Sequence, residues 1–281
     1  MKVLSRLIPP MICVHDRGRL CNNILQYGHL YAWGREHGVA TMSMRFAYKY
    51  QFFHICHTPH HNFPTYVLAK YAAKCGLIPT VDFDNDQRTD SERERLMLER
   101  RWLVVTGWNV RYYDLFLKYK HEILNLFAFD EAVSEKPRQL LSTVAGGDLK
   151  LGLHIRRGDY RTWHDGRYYY DDTQYISQVR SFMQQHSGQR VHLFICGNDP
   201  ALDVSLYRRE LPEATVSFSQ GSPAEDLYLL SQCDWLMGPP STFTLVASMY
   251  RDVPLCWIHD ASCPVTADSF RRFDYLFQHI L

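Results

Sequence analysis

The sequence predicts an α/β protein built on largely parallel sheets, from three observations. Residues 149–258 alternate short apolar, β-like runs with helical runs, the rhythm of a doubly wound nucleotide-binding sheet. The 281 residues are 46% hydrophobic and 22% charged, enough to bury one large α/β core or two ordinary ones without disulfides or metals. Gly and Pro fall between the runs, where turns are needed.

Taken in order, Asn23 to His37 reads as a helix, with Ile24, Tyr27 and Tyr31 at helical spacing and Gly38 as its stop. Helices are predicted again at Tyr66–Lys74 and Arg111–Phe127, with a strand at Leu103–Thr106. Glu131 to Lys150, carrying Pro137 and Gly146-Gly147, reads as a domain connection. From there the pattern is regular. Strands are expected at Leu149–Ile155, Arg190–Cys196, Thr215–Phe218, Trp235–Met237 and Pro254–Ile258. Helices are expected at Thr173–Gln185, Ala201–Leu211, Ala224–Cys233 and Thr242–Tyr250. Ligands in such sheets bind beyond the carboxyl ends of the strands, so the loops opening at Arg156, Gly197 and Gly238 are where chemistry is sought.

Lys and Arg number 31 against 30 Asp and Glu, which excludes bulk attraction to nucleic acid or an anionic membrane as the design principle. The eight cysteines contain no C-x-x-C pair, so zinc-ribbon and thioredoxin-like readings have no support, and most sit in apolar runs as reduced core residues. The first 13 residues are broken by Pro9-Pro10 and lack a cleavage site. No run approaches the roughly 20 apolar residues of a membrane span. The chain is expected to be soluble and cytoplasmic, or peripheral to the inner face of a membrane. Aromatic residues reach 14%, alongside 14 histidines, a composition found around stacked sugars or bases and equally in aromatic cores.

Three segments could carry chemistry. His154-Ile155-Arg156-Arg157-Gly158-Asp159-Tyr160 leaves a buried strand, putting guanidinium forks where a phosphate would bind, with Asp159 able to orient one of them. The alternative is a solvated loop in which Arg157 and Asp159 pair with each other. Arg17-Gly18-Arg19-Leu20-Cys21-Asn22-Asn23 runs from the apolar Ile12-Cys13-Val14 into the first helix. Its amides would face an anion with Asn22 as N-cap, or it is a plain capped turn. Gly238-Pro239-Pro240-Ser241-Thr242-Phe243 is again strand, loop and helix start, and Ser241 and Thr242 could either cap the helix or turn toward a phosphate.

In this order the segments resemble the fucosyltransferase superfamily. His154 to Tyr160 looks like its H-x-R-R-x-D-Y motif, and Gly18 to Tyr27 is similar to its glycine-rich opening. Asp226-Leu227-Tyr228-Leu229-Leu230-Ser231 with Ser241-Thr242-Phe243-Thr244 looks like its D-L-x-L-M-S…S-S-F-S stretch. The length suits the bacterial α-1,2 branch, glycosyltransferase family 11. The resemblance implies a GT-B-like fold of two Rossmann-like halves. Residues 1–145 would supply the acceptor side and 146–281 the GDP-sugar site. It implies a metal-independent, inverting transfer of fucose from GDP-fucose to a glycan acceptor, galactose O2 above all, with no cofactor. Arg156 would hold the β-phosphate and stabilise the leaving GDP, with Asp159 a further catalytic candidate, and His154 would contact the nucleotide. Asp226 would accept from the guanine edge, and Ser241, Thr242 and Phe243 would close around phosphates or base. Gly18, Arg19 and Asn22 would face donor sugar and acceptor. Alternatives are a nucleotide-sugar or carbohydrate-binding module without turnover, and a transferase of another GDP-deoxysugar.

Cys21 replaces the second glycine of the opening and Asn23 a usual Gln, which puts close backbone approach there in question. Two rival constellations remain. Asp82, Asp84 and Asp86 form D-x-D-x-D, but Gln87 stands where a calcium loop needs glycine, and Asp90–Arg95 reads as a solvated charged loop. His54, His57, His60 and His61 cluster with Cys56, as a zinc site or an acceptor-stacking loop. The acceptor's general base is not evident; Asp16, Asp159, His164 and Asp165 are candidates, and Tyr168-Tyr169-Tyr170 could stack on a sugar.

Overall fold

The structure, a computed structural model, describes residues 10–45, 51–197 and 199–280. The opening residues Met1 to Pro9 and Asn198 lie outside them. The chain forms two compact units, Met1–Asp130 and Glu131–Leu281.

The first unit holds a four-stranded, all-parallel sheet in the order β2-β1-β4-β3, formed by β1 (Met11–His15), β2 (Ala40–Ser43), β3 (Thr80–Asp82) and β4 (Trp102–Thr106). The apolar run Ile12-Cys13-Val14 is the buried centre of β1, as a strand covered on both faces requires. Helix α1 (Leu20–His37) starts three residues earlier than its periodicity suggests and stops at Gly38, whose φ of 67° is the left-handed cap a glycine adopts without strain. Helix α2 (Phe63–Lys74) is capped by Asn62, whose side chain accepts from the Thr65 amide at 2.9 Å. The segment expected to be a solvated charged loop is helix α3 (Asp90–Glu99). Thr89 and Glu92 close a reciprocal capping box on it, so its polarity reflects an exposed helix and not the absence of one. The helix expected over 111–127 is two short ones, α4 (Tyr113–Lys118) and α5 (Lys120–Leu126), broken at Tyr119.

The second unit opens on α6 (Glu131–Leu141), where the sequence suggested a connection. The helix is built into this unit: Arg138 donates to the Tyr228 hydroxyl at 3.2 Å and Lys136 lies 3.5 Å from Glu225. The division therefore falls after Asp130 and not after residue 145. A five-stranded parallel sheet follows in the order β7-β6-β5-β8-β9. Its strands are β5 (Leu149–Ile155), β6 (Val191–Gly197), β7 (Ala214–Phe218), β8 (Trp235–Gly238) and β9 (Leu255–Trp257). Helices α7 (Asp172–Gln185), α8 (Val204–Glu210), α9 (Pro223–Ser231) and α10 (Thr242–Arg251) connect them, and α11 (Phe273–Phe277) closes the chain. The chain winds one way from β5 through β7 and then the other through β8 and β9, so the strand order reverses between β5 and β8. That reversal leaves a crevice at the strands' carboxyl ends. The core packs Leu151, Leu153 and Ile155 of β5 against Tyr175, Val179 and Phe182 of α7.

All eight cysteines are free, and Cys13, Cys21, Cys196, Cys233 and Cys256 are buried core residues, whereas Cys75 and Cys263 are exposed. Among the described residues no helix is long and apolar enough to cross a membrane.

Candidate functional site

The reversal point of the second sheet gathers the central motif and the Ser-Thr loop. His154 is the penultimate residue of β5, Gly238 ends β8, and a Cβ on Gly238 would sit 2.7 Å from the His154 carbonyl oxygen, so only glycine lets the strands approach this closely. The His154 ring is buried and stacks on Phe243 with centroids 4.9 Å apart. Burial, with Arg156 nearby, pushes the imidazole down to about 3, so it is neutral at ordinary pH, and its Nδ1 has no hydrogen-bond partner.

The two adjacent arginines have different jobs. Arg156 makes a fork to Asp159, Nε to Oδ1 at 3.0 Å and Nη2 to Oδ2 at 2.9 Å, and its guanidinium lies over the Tyr160 ring. The Asp159 side chain is 43% exposed, so this is a bidentate pair at the surface of the crevice. Arg157 is buried and tied from below: Nε donates to the Tyr170 carbonyl at 3.0 Å, Nη2 meets Asp172 at 2.5 Å and Nη1 meets Asp199 at 3.3 Å. Neither the pairing of Arg157 with Asp159 nor a solvated loop describes this segment. The Tyr160 hydroxyl donates to the Pro240 carbonyl, joining the loop after β5 to the loop after β8.

Ser241 is the N-cap of α10, its hydroxyl accepting from the Phe243 amide at 3.1 Å. Thr244 Oγ1 donates to the Ser241 carbonyl at 3.0 Å and accepts from the Trp257 indole at 3.2 Å. Ser241 thus orients the helix start, and Thr242 and Phe243 form its half-buried first turn. Asp226 lies in the first turn of α9, which is capped by a Ser222–Glu225 box. It accepts from the Ser219 hydroxyl at the end of β7, and burial raises its carboxyl to about 6.

In the first unit the loop after β1 is closed on itself. The N-cap of α1 is Arg19, not Asn22, and it contributes no side-chain cap. Asn22 falls in the first turn, packed so closely on Gly18 that a Cβ there would lie 2.7 Å from its Nδ2; Gly18 also holds φ at 89°. Cys21 is buried within the helix, and Asn23 and Gln26 both donate to the Arg17 carbonyl, at 2.8 and 2.7 Å. The two departures from the family pattern therefore lie inside the loop's own packing. Arg17, which opens this segment and had no role of its own in the sequence reading, reaches Asp82 at 2.7 Å, Asp84 at 3.4 Å and the Thr106 hydroxyl at 3.1 Å.

That network also accounts for the acidic triplet. Asp82 faces Arg17, Asp84 accepts from the Trp108 and Asn109 amides at 2.9 Å each, and Asp86 pairs with Arg88. Among the described residues no His, Cys, Asp and Glu group is arranged to hold a metal ion. His61 is a core histidine, accepting from the Ser43 amide at 2.9 Å and bonded to Thr58 at 2.7 Å, and burial pushes it down to about 3. Tyr168 and Tyr170 are buried, and the Tyr170 hydroxyl donates to the Ile258 carbonyl at 2.8 Å, so these two do not offer faces to a sugar. Of the general-base candidates Asp16 is buried and Asp159 is engaged by Arg156, while His164 and Asp165 are exposed and both at positive φ, 46° and 56°.

Residues 103–251, more than half of the chain, match the model of glycosyl transferase family 11. The chain belongs to that family. This bears out the family that the sequence resemblance named, and the matched residues include the motifs of His154 and Asp226. No curated protein matches the chain. Among solved structures it is similar to a mutant of Arabidopsis thaliana FUT1 in complex with GDP, with 12% identity, TM-score 0.66, and coverage of 96% of this chain and 77% of that one. It is similar to the fucosyltransferase NodZ from Bradyrhizobium, with 15% identity, TM-score 0.57, and coverage of 91% and 96%. It is also similar to POFUT1 in complex with GDP-fucose, with 11% identity, TM-score 0.56, and coverage of 87% and 94%. At these identities the likeness is one of fold: a GT-B-like α/β architecture with two parallel-sheet, Rossmann-like regions.

Proposed function

We propose that this family 11 protein transfers fucose from GDP-fucose to a sugar hydroxyl, with galactose O2 the acceptor position its motifs favour, by a metal-independent, inverting reaction. The observation that carries the reading is the Arg156–Asp159 fork at the reversal point between β5 and β8, beside the capped start of α10. Breaking a sugar–phosphate bond puts negative charge on the departing diphosphate while the sugar takes oxocarbenium character, and a preoriented guanidinium stabilises that charge as it develops. Asp159 holds the fork in place, and Arg157, anchored to Asp172 and Asp199, fixes the turn that aims it. His154 is neutral and stacked, which keeps a second positive charge out of the crevice and presents an aromatic wall with Phe243. Asp226 is the acceptor for the guanine N–H edge, exchanging its bond to Ser219 for bonds to the base. The complexes of the similar proteins FUT1 and POFUT1 with GDP and GDP-fucose support a GDP-linked donor.

The test is a release assay for free GDP from GDP-fucose, with and without lactose and with EDTA present, alongside titration calorimetry with GDP. Acceptor-dependent GDP release that EDTA leaves unchanged is the expected result. Binding without release on a broad acceptor panel would assign a binding module instead, and no affinity for any GDP compound would sink the reading altogether.

A further inference from the structure

Helix α2 has an outer side that a water-facing helix does not ordinarily have. At 3.6 residues per turn its inner side centres on Ala69, which is buried, and with Tyr66, Ala73 and Ile78 it packs on Met11, Met42 and Val104 of the first unit's core. On the side facing away lie Phe63, Val67, Lys70, Tyr71 and Lys74, with Leu68 at the margin and Leu77 in the turn that follows. Phe63 is 65% exposed, Leu68 55%, Tyr71 56% and Leu77 78%. Scattered apolar residues on a surface need no explanation, but here two aromatics and two leucines share one short helix and its turn. A helix apolar on both sides is ordinarily covered on both.

The charge of the stretch of chain that carries this patch is one-sided. Residues 37–81 contain no Asp or Glu, while Lys70 and Lys74 stand on the exposed side of the helix. The Lys70 ammonium lies 5.6 Å over the Tyr66 ring, and Phe63 and Tyr66 sit with ring centroids 5.9 Å apart. Aromatic and leucine side chains beside lysines, with no acidic residue among them, match the layering of a bilayer surface. Apolar groups enter the acyl boundary, rings sit at headgroup level, and ammonium groups on flexible stems reach lipid phosphates. We propose that the outer side of α2 with its turn to Leu77 is a docking surface for an anionic lipid bilayer, holding the enzyme at a membrane face without a spanning segment. The near-neutral charge of the whole chain argues against general adhesion, so the binding is confined to this patch.

The experiment is co-sedimentation of the full chain with vesicles of phosphatidylcholine alone and of phosphatidylcholine with about one part in three phosphatidylglycerol. Binding to the anionic vesicles is expected, weak or absent on phosphatidylcholine alone and reduced by added salt. Combined Phe63→Ser, Tyr71→Ser and Leu77→Ser substitutions, and separately Lys70→Glu with Lys74→Glu, should each lower partitioning about tenfold or more. Because these side chains are exposed, thermal melts of both variants should match the parent; if the apolar variant proves unstable, the lysine variant alone carries the comparison. No binding to anionic vesicles at low salt would overturn the proposal, as would binding that neither variant reduces. Concentration-dependent self-association in sedimentation velocity that the apolar variant abolishes, without vesicle binding, would assign the face to a second copy of the chain and overturn it as well.

Discussion

The two parallel sheets each end a central strand in an arginine-bearing loop, and the loops differ in how their arginine is held. After β1, Arg17 is committed to Asp82, Asp84 and Thr106, and its own carbonyl is held by Asn23 and Gln26. After β5 the two tasks are divided between neighbours. Arg157 takes the buried, structural role, and Arg156 keeps its fork at the crevice with one half-exposed carboxylate. A guanidinium held by several partners stiffens a loop, whereas one aimed by a single half-exposed carboxylate can exchange some of its contacts for a phosphate.

The sharpest way to break that comparison is Arg157→Ala. It would leave Asp172 and Asp199 without their guanidinium in a partly buried setting and should cost about 3–5 kcal/mol of stability, read as a large drop in Tm. If the variant melts like the parent, the anchoring role is wrong. Arg156→Ala should shift the balance the other way, with a smaller loss of Tm than Arg157→Ala because its carboxylate partner is half-exposed although the arginine side chain itself is largely covered, and with turnover lowered about 10²-fold or more. Arg17→Ala provides the contrast within the same experiment, with a modest loss of Tm of the scale expected for a few part-exposed hydrogen bonds. Equal losses of turnover from Arg17→Ala and Arg156→Ala would erase the distinction between the loops.

A smaller effect separates binding from folding at Asp226. Burial raises its carboxyl to about 6, above the ordinary carboxylate value. Its protonated form therefore fits the fold better, and the stability it contributes is present in acid and lost as pH rises through about 6. Asp226→Asn should accordingly raise Tm at pH 7.5 and change it little near pH 4. With Asp226 as the guanine acceptor proposed above, GDP binding should run the other way, because it is the charged carboxylate that accepts from guanine N–H groups. Affinity measured by calorimetry should fall about tenfold between pH 7 and pH 5 as the carboxylate protonates. An affinity flat across that range would remove Asp226 from the guanine site.

Legibility in the sequence followed the strength of local signals. In the second unit every expected strand and helix is present within a few residues, because long apolar runs bounded by Gly, Pro and Ser leave few alternatives. In the first unit β2 and β3 span only Ala40–Ser43 and Thr80–Asp82, too short for periodicity to register. Helix α3 was masked by its charges, although Thr89 and Glu92 at capping-box spacing were there to be read. Helix α6 was hidden by Pro137, which its interior accommodates. The motif residues His154, Arg156, Asp159 and Ser241 could be named from sequence, but their partners could not.

The sequence by itself determined the α/β class, the parallel winding of residues 149–258, the family, and which loops leave the carboxyl ends of the strands. Apolar periodicity, turn residues and motif spacing are all local properties, and each survives without knowledge of what lies across the fold. Only the tertiary structure decided which arginine stays at the crevice and which one braces the turn. Arg156 and Arg157 are adjacent and chemically identical, and the carboxylates that tell them apart are 3 residues away for one and 15 and 42 residues away for the other. It likewise turned Asp82, Asp84 and Asp86 from a metal motif into the anchorage of Arg17 and its neighbouring loops, because a carboxylate's role is set by the partner that folding brings to it.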